Sequence, residues 1–192
     1  MDALMATQVK EQDEAEVDLA QRAITDIDAF AELYRRHLTR VYRYLVAHVG
    51  NTRDAEDLTS QTFLAALEGI GSFRGSGSFA AWILGIASRK RLMFYRGSKP
   101  EVPLEDAIHY PSPELPTDRA AAQRLQLESI SRALKKLSPD RAEALILMYF
   151  GGLSQAEAGR VLNKSEAAVK MLISRGLQDL RERTSLALEV EL

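Results

Sequence analysis

The 192-residue chain contains no cysteine, which excludes disulfide bonds and thiolate metal ligands. Its three histidines, His37, His48 and His109, are scattered and do not form a zinc site by themselves. No apolar stretch reaches the length of a membrane span, and residues 1–20 are acidic without the apolar core of a signal peptide. We therefore expect a soluble, cytoplasmic protein with no metal, no cofactor and no membrane insertion.

Charge is distributed unevenly along the chain, although the net charge is only −2. Residues 1–27 carry seven acidic and two basic side chains, whereas residues 28–96 carry ten basic and six acidic ones. The basic excess therefore lies in the body of the protein, where it is compatible with a nucleic-acid partner. The acidic leader either keeps the chain soluble or lowers non-specific binding to DNA.

Proline is confined almost entirely to one segment. Five of the six prolines lie between Pro100 and Pro116, which is too dense for a helix and predicts a linker. On both sides of it apolar residues recur at helical spacing, and no β-type alternation is present. We predict an all-α fold of two small helical domains joined by a proline-rich linker. The predicted bounds are a leader at 1–20, a first domain at 21–96, a linker at 97–125, a second domain at 126–184 and a tail at 185–192.

The first domain is predicted to contain three helices. Apolar residues at three-and-four spacing from Asp28 to Val49 indicate one long helix, which Gly50 ends. A second helix follows a cap at Asn51 and Thr52. A loop over residues 72–78 then leads into a third helix that ends in a basic and aromatic cluster.

The second domain carries two strong helix-start signals. Ser154 and Glu157 have the spacing of a capping box, and Ser165 is a second N-cap residue. Between them, Asn163 and Lys164 interrupt the apolar pattern. Two short helices joined by such a turn predict a helix-turn-helix motif, whose second helix enters a DNA major groove.

The second helix of this motif has two different faces. Val169, Ile173 and Gly176 belong to its apolar face. The opposite arc mixes basic, polar and small side chains suited to phosphates and base edges. That arc contains Lys170, Met171, Ser174, Arg175, Gln178 and Arg181. Upstream, Ser138 and Pro139 predict another helix start, and Gly151 with Gly152 its end. The alternative is an ordinary helical bundle with a solvated basic face.

Taken together, these motifs resemble those of the bacterial extracytoplasmic-function sigma factors, group 4 of the sigma-70 family. The resemblance rests on the string from Asp54 to Leu67, the Phe73-Arg-Gly loop, the Phe79-Ala-Ala-Trp-Ile helix, the linker and the helix-turn-helix. It covers residues 24–183. It implies an RNA polymerase initiation factor and no enzyme activity. Region 2 would bind the polymerase clamp on the β′ subunit and open the −10 promoter element; region 4 would read the −35 element and meet the β flap. It also implies an anti-sigma factor as a partner.

The resemblance further assigns three sets of contact residues. Those facing core polymerase are Asp54, Glu56, Asp57, Gln61 and Thr62. Holding an extruded base requires a polar pocket beside an aromatic or basic surface. The expected −10 contacts are Arg74, Ser76, Ser78, Trp82, Arg89, Lys90 and Arg96. The expected −35 contacts are Lys164, Ser165, Lys170, Met171, Ser174, Arg175, Gln178 and Arg181.

The chain also departs from the family pattern. It has Ser88, Arg89 and Met93 where Arg-Asn and a later Asp are usual, so the family's −10 base preference is not transferred. Met171 and Leu172 replace a Ser-Arg pair, which predicts altered or weaker −35 contacts.

Several alternatives remain open at the level of the sequence. The carboxylates of the second helix also suit a solvated helix N-terminus, and Trp82 also suits a core position. A catalytic carboxylate pair is disfavoured because no histidine, serine or metal-ligand set accompanies it. The alternative functions are a sigma-like mimic, which binds an anti-sigma factor without acting in initiation, and a free-standing helix-turn-helix regulator.

Overall fold

The computed structural model describes residues 14–75, 77–97 and 118–190, and it describes side chains in these ranges except at 118–125 and 183–190. Eight α-helices and one 3-10 turn account for most of the described residues, none of which lies in a strand. The predicted all-α fold is confirmed. No helix within the described ranges is both long and apolar enough to cross a membrane.

The first domain contains four helices and the short turn. The helices are α1 (residues 14–22), α2 (Ile27–Val49), α3 (Thr52–Gly69) and α4 (Phe79–Gly97), with the 3-10 turn at Ile70–Ser72. Gly50 ends α2 at φ 83°, a left-handed conformation that glycine adopts without steric cost. The side chain of Asn51 caps α3 by accepting the backbone N–H of Asp54 at 2.9 Å. The predicted turn between α2 and α3 is confirmed.

The acidic leader was expected to stop before the domain, but its last part is helical and packed. Leu19 and Ala20 of α1 are buried, and Glu16 lies 2.8 Å from Nε2 of His37, a buried residue of α2. Within the described residues, helix α1 thus extends this domain back to residue 14, whereas the sequence indicated residue 21.

An aromatic cluster joins α4 to the loop that precedes it. The Phe79 ring lies 5.5 Å from Phe73 and 5.3 Å from Trp82, centroid to centroid. Phe79 is fully buried and Trp82 is half-buried. Ring contacts of this kind contribute stabilising free energy beyond that of the surface area they bury. They therefore fix the loop against the first two turns of α4.

The second domain contains four helices. They are α5 (Asp118–Lys135), α6 (Pro139–Tyr149), α7 (Gln155–Leu162) and α8 (Glu166–Val190). The capping box of Ser154 and Glu157 is present, and Asn163 takes the left-handed conformation at φ 54°. Both observations confirm the predicted helix-turn-helix. Ser138 occupies the predicted N-cap position of α6, but its side chain makes no capping hydrogen bond.

The predicted linker and tail differ from the observed helix bounds. Helix α5 begins at Asp118, inside the predicted linker of 97–125, and α8 continues to Val190, inside the predicted tail of 185–192. The five prolines on which the linker prediction depends lie outside the described residues.

The two domains are in direct contact. Helix α2 packs against α5 and α6 of the second domain, and α4 packs against α7. Gly151, in the turn after α6, approaches α4 so closely that an added Cβ would lie 2.8 Å from Cδ1 of Leu84. The sequence indicated two halves joined by a linker, and this interface was not expected from it.

Candidate nucleic-acid and partner interfaces

The exposed face of α3 begins with acidic and amide side chains. Glu56, Asp57 and Gln61 are exposed, whereas Asp54 is half-buried and accepts a hydrogen bond from the Asn51 amide at 2.7 Å. Thr62 is a correction to the predicted set of surface contacts. Its side chain is fully buried, and its hydroxyl donates to the carbonyl oxygen of Leu58 at 2.7 Å, so it points into the domain.

The same face becomes apolar towards the end of α3. Leu64 is 59% exposed and Leu67 is 36% exposed, so two large apolar side chains reach solvent about one turn apart on this helix. Between α2 and α3, Tyr34, Tyr42 and Glu56 line a shallow groove. Partial burial and the nearby Glu56 carboxylate raise the pKa of Tyr42 above its usual 10.0. Exposed apolar side chains beside charged ones are typical of a protein-binding surface.

The loop between the 3-10 turn and α4 forms one wall of a cavity of about 500 Å³. Arg74 is exposed, and it lines the cavity together with the half-buried Trp82 and the exposed Arg89. Ser78 also lines it but is buried, and its hydroxyl hydrogen bonds to Glu157 of α7. Ser76 lies outside the described residues. The structure therefore brings four of the predicted −10 residues to one site.

The basic cluster at the end of α4 is divided between two directions. Arg89 and Arg96 are exposed and Lys90 is half-buried, so all three remain accessible from solvent. Arg91 turns towards the second domain, and its side chain is only 14% exposed. Three of the four cations are thus available to an external polyanion.

The predicted DNA-reading face of α8 is exposed to solvent. Lys170, Met171, Ser174, Arg175, Gln178 and Arg181 are all exposed. Val169, Ile173 and Gly176, which form the apolar face of the same helix, are buried against the domain. The alternation predicted from the apolar spacing is therefore confirmed.

The residues of the turn before α8 are already engaged within the domain. Lys164 forms an ion pair with Asp140 at 2.9 Å, and the Ser165 hydroxyl accepts the backbone N–H of Ala168 at 3.2 Å. Ser165 thus caps α8, as predicted. At the other end of the arc, Gln178 donates to Glu182 at 2.9 Å.

Sequence reasoning missed a buried polar cluster between the domains. Its centre is Glu143 of α6, which accepts hydrogen bonds from the Tyr44 hydroxyl at 2.5 Å and from Nη2 of Arg91 at 2.7 Å. His48 Nε2 lies 3.3 Å from the same carboxylate. The only sequence signal was a single glutamate inside the apolar run of α6.

The electrostatics of this cluster follow from burial. Desolvation, and then the Glu143 carboxylate, raise the pKa of Tyr44 far above its usual range, so its hydroxyl stays protonated as a donor. Desolvation, and then the cations of Arg91 and Lys135, hold the pKa of His48 well below 6.5. The imidazole is therefore neutral near pH 7.

A second polar contact joins the domains at the cavity. Burial alone would raise the pKa of Glu157, but hydrogen bonds from Ser78 and Ser154 outweigh it and lower the pKa below 4.5. Glu157 is therefore ionised at neutral pH while it contacts the loop. Next to it, Arg160 and Val161 of α7 line the same cavity.

Within the part of the chain that the structure describes, no group of three or more histidine, aspartate or glutamate side chains is arranged to hold a metal ion.

Two family models match the chain. Sigma-70 region 2 matches residues 33–100, and Sigma-70, region 4 matches residues 127–180. These two stretches coincide with most of the first and second domains.

Curated relatives are similar over most of the chain. The ECF RNA polymerase sigma factor BldN of Streptomyces coelicolor is 34% identical over 168 residues, which are 85% of this chain and 64% of BldN. The chain thus spans slightly less than two thirds of that relative. The RNA polymerase sigma factor CarQ of Myxococcus xanthus is 34% identical over 158 residues, which are 81% of this chain and 88% of CarQ.

Solved structures share the arrangement. CnrH, in complex with the cytosolic domain of CnrY, has a TM-score of 0.72 and 26% identity, covering 90% of this chain and 98% of the other. The sigma factor RpoE of Bartonella quintana, in complex with the anti-sigma factor NepR, has a TM-score of 0.57 and 25% identity. The match covers 80% of this chain and 94% of that chain.

Proposed function

The chain belongs to the extracytoplasmic-function RNA polymerase sigma factors of the sigma-70 family, and on that premise we propose that it directs core polymerase to promoters through three surfaces. The observation that carries this proposal is the separation of an acidic, partly apolar face on α3 from a basic face on α8. The α3 face suits a protein partner, and the α8 face suits DNA. We also propose that it is a group 4 member, since only residues 101–126 separate the two matched regions.

The first surface is the contact with core polymerase. Glu56, Asp57 and Gln61 are exposed on one side of α3 and would meet basic and polar groups on the clamp of the β′ subunit. Asp54 would contribute from the first turn of the helix. Thr62 is not assigned to this surface, because its side chain is buried inside the domain.

The second surface takes the −10 element. The cavity between the loop and α4 offers Trp82 as a stacking surface and Arg74 beside it, which suits a base removed from the duplex. Arg89, Lys90 and Arg96 continue the surface along α4, where they would contact phosphates.

The third surface is the exposed arc of α8, which would lie in the major groove of the −35 element. We assign base contacts to Ser174, Arg175 and Gln178 at the centre of the arc, and phosphate contacts to Lys170 and Arg181 at its edges. Met171 adds an apolar contact for a thymine methyl group, where the family pattern has a polar residue.

The remaining proposals concern setting and regulation. An anti-sigma factor is a proposed partner, and the complex of Bartonella RpoE with NepR supports it. Because its partners would be polymerase and promoter DNA, we place the protein in the cytoplasm. It would act by binding alone, with no catalytic step and no cofactor.

The experiment that tests the polymerase contact is a binding titration with core enzyme. Asp57→Lys and Gln61→Ala should each weaken holoenzyme formation, the first by about thirtyfold or more, because losing a desolvated charge pair costs about 2 to 5 kcal/mol. Glu14→Lys is the matched control, since Glu14 is an exposed carboxylate on a different helix, α1. Core affinity that is unchanged in both α3 variants would contradict the assignment.

A further inference from the structure

The loop between the 3-10 turn and α4 is held at two neighbouring points. At the first, Phe73 is buried and packs against Phe79 and Trp82, with ring centroids 5.5 Å apart in both pairs. At the second, Gly75 meets helix α1 so closely that an added Cβ would stand 2.9 Å from Cγ1 of Val17. Gly75 also has φ 67°, a left-handed conformation that favours glycine. Helix α1, at the end of the acidic leader, is thus in contact with the loop that lines the −10 cavity.

Arg74 lies between these two points in the sequence. Its side chain is exposed and lines the cavity to which we assign the −10 element. Because the residues before and after it are both packed, the backbone at Arg74 has few alternative conformations. A site that is ordered before its ligand arrives does not lose this conformational entropy on binding. The packing around Gly75 therefore bears on how well the cavity holds a strand of DNA.

A polar contact attaches α1 to the same region of the domain. Glu16 Oε1 lies 2.8 Å from Nε2 of His37 on α2, and the His37 side chain is only 4% exposed. The His37 ring lies 5.0 Å from the Phe79 ring, centroid to centroid. Two consecutive residues of α1 are therefore connected to the site. Val17 contacts the loop directly, and Glu16 is connected through His37 to the aromatic cluster that anchors it.

We propose that α1 is a positioning element of the −10 site, in which Val17 holds the loop so that Arg74 faces the single strand of an opened promoter. Val17 is a positioning residue, because it acts through the backbone of the loop. The role at the −10 element rests on the proposed function. A loop without this support has to be ordered when the strand binds, which lowers the affinity for the strand. The loss is therefore expected in promoter opening and not in the binding of core polymerase.

The first test measures the packing of the loop in the full chain, without polymerase or DNA. Trp82 is the only tryptophan in the sequence, and its ring packs against Phe73 of the loop. Val17→Ala should raise the acrylamide quenching constant of Trp82 and shift its emission to the red, whereas Val17→Ile should keep the wild-type values. Val46→Ala is the matched control, because it is the same truncation at a buried position of α2. Equal quenching in Val17→Ala and Val46→Ala would overturn the proposal.

The second test measures promoter opening by holoenzyme, on promoters whose transcription requires the wild-type protein. The readout is the permanganate reactivity of thymines in the −10 element at saturating holoenzyme. Val17→Ala should lower the equilibrium constant for opening about fivefold, because one more residue has to be ordered on strand capture. Asp18→Asn should open promoters like the wild type, because Asp18 is exposed and pairs with Arg22 on its own helix.

The outcomes of this test separate the two proposals. Wild-type opening by Val17→Ala would overturn the role of α1 at the −10 element. Absence of opening by the wild-type protein itself would contradict the proposed function, and the quenching of Trp82 would still decide whether α1 positions the loop.

A double-mutant cycle distinguishes the contact at Gly75 from a general loss of stability. A Cβ added at Gly75 lies 3.8 Å from Cβ of Val17, an ordinary contact distance, so the methyl group of Gly75→Ala fits beside Val17→Ala. Each single variant should lower promoter opening, and the double variant should open more promoter than the product of the two single effects predicts. The strain of a positive φ at residue 75 is common to both backgrounds and cancels. Strictly multiplicative effects would overturn the direct contact between α1 and the loop in the promoter complex.

Discussion

At the scale of single residues, the most consequential group is the histidine at the domain interface. His48 is 9% exposed and faces Tyr44 on its own helix, Arg91 of α4, Lys135 of α5 and Glu143 of α6. Its neutral form is favoured by burial and by the two cations, whereas an unfolded chain would bind a proton near pH 6.5. The folded protein therefore binds fewer protons than the unfolded chain below that pH.

This imbalance predicts the pH dependence of stability. Because the pKa of His48 is lowered in the folded state, its contribution is fully present above pH 6.5 and is lost as the pH falls towards the folded pKa. Wild-type protein should lose up to about 1.4 kcal/mol of unfolding free energy per pH unit below that point, relative to His48→Gln. Urea unfolding from about pH 7 to about pH 5 measures this. Parallel curves for the two proteins would contradict it.

At the scale of elements, the helix-turn-helix depends on how closely α7 meets the turn. The backbone N–H of Lys164 donates to the carbonyl oxygen of Gly159 at 2.9 Å. A Cβ at Gly159 would lie only 2.7 Å from the carbonyl oxygen of Lys164. A backbone atom cannot move aside as the end of a side chain can, so this position requires glycine.

Two glycine substitutions should therefore have opposite effects. Gly159→Ala should destabilise the second domain by about 1 to 3 kcal/mol, because the turn must shift to admit the methyl group. Gly85→Ala in α4, where an added Cβ meets nothing within 4 Å, should stabilise the protein by up to about 1 kcal/mol through helix propensity. Thermal unfolding followed by circular dichroism compares them. A stabilised Gly159→Ala variant would show that the turn relaxes freely.

Elements were predictable from sequence where a local signal existed. Asn51, Ser154 and Asn163 each act on backbone within a few residues, and the structure confirms all three. The burial of the Thr62 side chain was also predictable, since Thr62 lies four residues after Leu58 on the buried face of α3. It was instead assigned to the polymerase contacts because its position matches the family pattern. Helix α1 was missed because acidic residues surround its few buried positions.

At the scale of the whole molecule, the domain arrangement had no local signal. Glu143 and Arg91 are 52 residues apart in sequence, and Glu143 and Tyr44 are 99 apart. No periodicity or motif relates residues at such separations; only the folded domains bring them together. The two domains themselves follow from helical spacing, whereas the contact between them follows from three-dimensional packing.

At this scale, the central proposal is that the chain gives core polymerase a promoter preference, part of which α8 reads. The direct measurement is the mapping of transcript start sites on fragmented genomic DNA, with core polymerase alone and with added protein. We predict a set of starts that requires the protein and shares −10 and −35 elements. Arg175→Ala should relax the base preference at one position of the −35 element, whereas Lys170→Ala should lower the affinity for all promoters alike. Identical starts with and without the protein would contradict the account.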